Sequence, residues 1–230
     1  MIQRNRPVLS HLAVPAFVLA VLALAPVPAA AGTYHFTCIS SPAACTPDVG
    51  NQMSVTVTSG GAGLVNFTFT NNVGIPSSIA DIYVADKTPS PGTLLSLVTP
   101  ITMQSAGVSF SQGAAPPQLP GGGAFNSGNT AYFTADSDSP VSHNGINAAS
   151  EWLTLQFNLR TGKTLNDVLN AMNAGLLQVG LHVQAIGTRG DSASYVSVVP
   201  EPGFYGLLSL GLAGLYAAVA RRRRKSTPAE

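Results

Sequence analysis

The chain has 230 residues and a formal net charge of +1, with only 9% of its residues charged. Seven of the eleven basic residues sit at the two ends (Arg4, Arg6, Arg221, Arg222, Arg223, Arg224 and Lys225). Between Gly32 and Val198 four basic residues face eight acidic ones, a net of −4. No basic patch is left there to neutralise phosphates, which excludes nucleic acid as an expected partner.

Arg4 and Arg6 precede an apolar stretch, Leu12 to Val27, and Ala29-Ala30-Ala31 then offers a small-residue A-x-A site ahead of Gly32. This is the layout of a signal peptide over residues 1–31, cut after Ala31 by a signal peptidase. A first transmembrane anchor competes with it, but Pro15, Pro26 and Pro28 beside the small-residue site favour cleavage. Residues 32–198 are then exported, a length sufficient for one domain with a sizeable core.

Cys38 and Cys45 are the only cysteines. In an oxidising compartment a pair this close is expected to form a disulfide around Ser40-Ser41-Pro42. Two free thiols, or a metal site completed by His35, are the competing readings.

Alternation of apolar and polar residues, the period of a half-buried strand, recurs along the exported segment. Met53, Val55 and Val57 alternate with Ser54, Thr56 and Thr58. After Gly60-Gly61, Val65, Phe67 and Phe69 alternate with Asn66, Thr68 and Thr70, so the two runs read as a hairpin. Further strands are expected at Ile79 to Ala85, Leu94 to Val98, Val108 to Phe110 and Ala131 to Ala135. The segment 114–123, rich in Pro and Gly, reads as a long loop. Leu153, Leu155, Phe157 and Leu159 alternate with Trp152, Thr154, Gln156 and Asn158, and Leu177 to Val183 alternates in the same way with Gln178, Gly180, His182 and Gln184. Ser194 to Val198 is the last strand.

One helix is expected, between the strands at 153–159 and 177–183. Thr164 is its N-cap, Asp167 completes a capping-box spacing, and Gly175 suits C′. Leu165, Val168, Leu169 and Met172 share one face. The fold class is therefore mainly β, a β-sandwich of jelly-roll or immunoglobulin-like type with one short helix, flanked by the signal peptide and a C-terminal transmembrane helix.

The chemistry-bearing residues are few. Asp136 and Asp138, at i and i+2 in a loop with Asn144 and Asn147 nearby, offer the oxygen ligands that Ca²⁺ takes. The spacing lacks the Gly and distal Glu of an EF-hand loop, and an ordinary Asp/Ser turn is the competing reading. No other cofactor is expected. H-E-x-x-H, G-x-S-x-G and phosphate-loop fingerprints are absent. Asp136 or Asp138 with Glu151 is a conceivable glycosidase pair, and His182 reads as a surface histidine. Trp152, Tyr83, Tyr132 and Tyr195 are a conceivable sugar-stacking platform.

The tail is the most specific feature. Val199-Pro200-Glu201-Pro202 precedes an uncharged run, Gly203 to Ala220, and then Arg221 to Lys225. As a helix the run spans roughly 27 Å, about a bilayer's hydrocarbon core. The basic cluster holds its end on the cytoplasmic side, where Ser226 to Glu230 form a short tail. The two prolines fix their own φ, push Val199 and Glu201 toward extended geometry and donate no backbone hydrogen bond. The result is an extended segment open to a processing enzyme.

This tripartite ending, residues 199–225, resembles the PEP-CTERM sorting signal of bacterial surface proteins, which exosortases process. More loosely, residues 107–113, 135–140 and 180–184 look like a recurring β-domain of such proteins. The resemblance implies an exosortase substrate that is not an enzyme. Its precursor is anchored in the inner membrane, and the mature form is delivered to the cell surface or exopolysaccharide matrix in a structural or adhesive role. A carbohydrate-binding module attached to exopolysaccharide is the alternative, and a secreted hydrolase a third.

Overall fold

Twelve strands build the protein in the computed structural model, which describes residues 31–198 and 211–216. In chain order they are β1 (Ala31–Tyr34), β2 (Phe36–Cys38), β3 (Met53–Gly61), β4 (Leu64–Asn71), β5 (Ser78–Asp86), β6 (Leu95–Leu97), β7 (Met103–Gln104), β8 (Phe110–Gln112) and β9 (Ala131–Ser137). The one-turn α1 (Val141–Asn144) follows, then β10 (Trp152–Leu159), α2 (Leu165–Asn173), β11 (Leu177–Ile186) and β12 (Asp191–Ser197).

The strands form two antiparallel six-stranded sheets. The first runs β1-β3-β4-β10-β6, with β7 also on β10; the second runs β2-β12-β11-β5-β9-β8. The apolar sides of the alternating strands meet between them. Val55, Val57, Phe67, Phe69, Leu155 and Phe157 of the first sheet share one core with Ile82, Val84, Val179, Leu181 and Val183 of the second. Burying each such side chain stabilises by roughly 1.5–3 kcal/mol. Phe157 packs edge-on against Phe67 of its own sheet at 5.1 Å and, across the core, against Phe133 of β9 at 5.5 Å.

The chain changes sheets at His35. β1 pairs with β3 and β2 pairs with β12, so the residue between them stands at the crossing. The His35 carbonyl accepts the Val198 N–H at 2.8 Å, and its Nδ1 lies 3.2 Å from the Met53 carbonyl. His35 therefore stands apart from the cysteines, which are joined to each other as a disulfide with Cα atoms 5.8 Å apart.

The helix α2 has the anticipated ends. Thr164 N–H and hydroxyl both donate to Asp167 Oδ2 at 2.7 Å, and Asp167 N–H donates back to Thr164 Oγ1 at 3.3 Å. Gly175, at φ 68°, takes the left-handed turn that ends it. Val168, Leu169 and Met172 are buried in the shared core.

Two expectations are revised. The strand expected at 108–110 lies at Phe110–Gln112, because Val108 N–H closes a turn on the Ser105 carbonyl. The short α1 adds a second helix, which Pro140 opens and whose four residues are too few to show an apolar stripe. All nine residues of β5 are buried, so this strand does not alternate in burial as β4 does. Residues 211–216 are helical and exposed, and no helix among the described residues is long and apolar enough to cross a membrane. Ala29, Val199 to Pro202 and Arg221 to Lys225 lie outside the described residues, while Ala31 and Gly32 open β1.

Candidate functional site

Two outward faces and the chain end carry the polar chemistry. On the second sheet, cross-strand register aligns Ser194 with His182, His182 with Asp81, Asp81 with Asp136, and Asp136 with Ser111. Directly opposed residues share a face, so this is one polar row running over five strands.

His182 Nδ1 stands 2.8 Å from Asp81 Oδ2. Asp81 also faces Asp136, and two carboxyls so placed resist ionising together. Burial, then the Asp81 charge and a hydrogen bond shared with it, push the Asp136 carboxyl up to about 6. Asp138 is the opposite case. It accepts the Ser109 and Ser111 hydroxyls, the latter at 2.8 Å, and those bonds hold it below the usual carboxylate range.

The Pro/Gly-rich segment between β8 and β9 covers the neighbouring rows of this face. Leu119 and Phe125 pack on Tyr83 and Ala85 as a second, smaller core. Tyr83 hydroxyl donates to the Pro116 carbonyl at 3.0 Å, and Lys87 Nζ donates to the Ala124 carbonyl at 2.6 Å while lying 5.5 Å from the Phe125 ring centre. Burial, with the nearby charges of Asp81 and Asp136, raises the pKa of the tyrosine hydroxyl, and burial lowers that of the lysine. This folded-back segment explains why β5 is buried on both faces.

The sequence-nominated residues separate accordingly. Asp136 turns to Asp81 and Asp138 to two serines. Glu151 Oε2 accepts the Asn147 and Ala148 N–H groups at 2.7 and 2.9 Å, in another cluster. Among the described residues no group of three or more His, Cys, Asp or Glu side chains gathers to hold a metal. The aromatic platform is not assembled: Tyr195 is in the main core, Tyr83 lies beneath the covering segment, Tyr132 packs beside it, and only Trp152 is exposed, on the first sheet. The Asp81–His182–Asp136 row was missed because it needs the pairing of β5 with two strands far away in sequence. The only sequence signal was that His182 lies on the polar side of its strand.

The outward side of the first sheet is different in kind. Thr33, Thr56, Thr68 and Thr154 are aligned in register across β1, β3, β4 and β10. Ser54, Thr70 and Trp152 form the row on one side, and Thr58, Asn66 and Gln156 the row on the other. Where the strands end, β12 closes at Ser197, and Val198 still bonds to His35.

The family of the PEP-CTERM protein-sorting motif matches at residues 198–224, beginning where β12 ends. The chain thus carries a PEP-CTERM sorting signal. Such a signal marks an exported precursor that passes the membrane and is processed by an exosortase-type enzyme. No curated protein and no solved structure matches the chain.

Proposed function

We propose that this PEP-CTERM sorting-signal protein is a structural or adhesive component of the bacterial cell surface or extracellular matrix. On this reading a signal peptidase removes residues 1–31, an exosortase-type enzyme acts near Val199-Pro200-Glu201-Pro202, and the two-sheet domain, a β-sandwich, is the delivered cargo. The observation that carries the reading is the junction itself: the sorting motif starts at 198, one residue after the last strand. The cargo is a single two-sheet unit held to the signal without a spacer.

A non-catalytic role is supported by what the acidic side chains do. Asp138 and Glu151, two of the carboxylates suited to hydrolysis, are engaged by serine hydroxyls and by backbone N–H groups. Their bonds organise loops.

Intact-mass analysis of protein recovered from cells, medium and matrix tests the reading. The expected species lacks residues 1–31 and most of the segment after 198, carries the disulfide, and is enriched in the surface or matrix fraction. Full-length protein found soluble in the cytosol overturns it.

A further inference from the structure

We infer that the outward face of the first sheet binds a neutral polysaccharide, an assignment that deepens the matrix role and rests on it for biological context. Thr33, Thr56 and Thr68 open a hydroxyl strip to solvent, and Thr154, buried at 5% exposure beside the 98–103 segment, closes it. Neighbouring strands put them about 4.8 Å apart across the sheet, and successive outward residues follow at about 6.8 Å along each strand.

Two pairs within the strip are already set. Thr33 Oγ1 lies 3.1 Å from Thr56 Oγ1, and Thr68 Oγ1 lies 2.8 Å from Thr154 Oγ1. In the flanking rows Ser54 and Thr70 hydroxyls pair at 2.9 Å, and Gln156 Nε2 donates to Asn66 Oδ1 at 3.0 Å. Each pair fixes its rotamers while using one donor, so lone pairs and at least one further donor remain per pair. Side chains held in place in this way bind with less loss of freedom.

Charge selects the ligand. Ala31, Thr33, Ser54, Thr56, Thr58, Leu64, Asn66, Thr68, Thr70, Trp152, Gln156 and Asn158 all stand on this side at least partly exposed, with Thr154 buried at its edge, and none is ionisable. A solubilising surface normally carries charged residues at roughly a quarter to a third of its positions. The strip offers nothing to attract an anionic chain or a basic protein, and it matches the mixed donor and acceptor hydroxyls of an uncharged sugar.

One end supplies the apolar contact. Trp152 is 37% exposed and Met103, opposite Thr154, is 36% exposed. An exposed indole offers a flat surface for the C–H face of a pyranose while its N–H remains a donor. Val98, Pro100, Ile101 and Met103 line a small cavity with Thr154 and Gln156, so the strip ends at this edge.

The test is affinity electrophoresis of the full-length chain in mild detergent, through gels containing hydroxyethylcellulose, xylan or dextran, with alginate as the anionic control. Retardation by at least one neutral polysaccharide is expected, weakened about tenfold or more by Trp152→Ala. It is also expected to weaken in the isosteric Thr33→Val and to be lost in Thr56→Lys, with melting temperatures showing each variant folded. The inference is overturned by no retardation in any neutral gel, by retardation in alginate alone, or by neutral binding that all three folded variants retain. Matrix retention of Trp152→Ala in cells, with binding lost in the gel, would separate the two readings: the matrix assignment would rest on another contact. Gel binding by a protein never found outside the cytosol would sink the matrix assignment and leave the strip's chemistry intact.

Discussion

Gly180 lies directly beneath Leu119: a Cβ added there would stand 2.8 Å from Leu119 Cδ2 and 2.9 Å from Phe125 Cζ. The absence of a side chain on this β11 position is what lets the segment between β8 and β9 settle on the sheet. Gly180→Val is expected to lower stability by about 1–3 kcal/mol through overpacking. Urea unfolding reads the loss, and combining it with Leu119→Ala should cost less than the two changes summed. An unchanged or raised midpoint in the single variant would show that the segment does not bear on Gly180.

Asp136 makes stability depend on pH in an unusual direction. Its carboxyl is raised to about 6, so the folded protein binds its proton more tightly than the unfolded chain. Stability from this group is therefore present at acidic pH and falls as pH rises through the range between the ordinary carboxylate value and about 6. Asp136→Asn should flatten the profile and be the more stable form at neutral pH, by about 1 kcal/mol after allowance for solvent screening. Chemical denaturation at pH 4, 5, 6 and 7 decides it, and parallel curves for the two proteins would refute the coupling with Asp81.

The disulfide closes a short loop, with a sequence separation of 7. Replacing both cysteines by serine should cost about 2–3 kcal/mol, as the small loop entropy implies. The effect should concentrate on β2 and the adjoining edge of β12. Hydrogen exchange faster there than in β3 and β4 is the expected pattern; uniform acceleration throughout the domain would mean that the crosslink supports the whole fold.

Thr164→Ala removes one half of the capping box and should lower stability by about 1 kcal/mol. The Thr164 bonds hold Asp167 below the usual carboxylate range, so their contribution is present at neutral pH and is lost as pH falls through Asp167's titration. The variant and its parent should converge at low pH. A gap that persists undiminished in acid would place the cost in something other than this carboxylate.

What the sequence disclosed followed the reach of its periodicities. Phe67 and Phe69 announced β4 because each neighbour on the other face is polar, and Thr164, Asp167 and Gly175 marked both ends of α2 through contacts three or four residues long. β5 was legible as a strand from Ile79 to Ala85, but its second buried face was not, since Leu119 and Phe125 reach it from a loop whose path no local pattern encodes. The alignment of Thr33 with Thr154 has the same origin, as it requires β4 to pair with β10 across 86 residues of sequence. His182 was read as a bare surface residue because its partner, Asp81, is supplied by register alone.

The last strand meets the sorting motif without a linker, and β12 is flanked on one edge by β11 and on the other by β2. Tension applied at the carboxyl end therefore enters the domain through a strand gripped along both edges. Yielding requires two ladders of backbone bonds to slide together, a shear geometry suited to a part that must stay put while its surroundings flow.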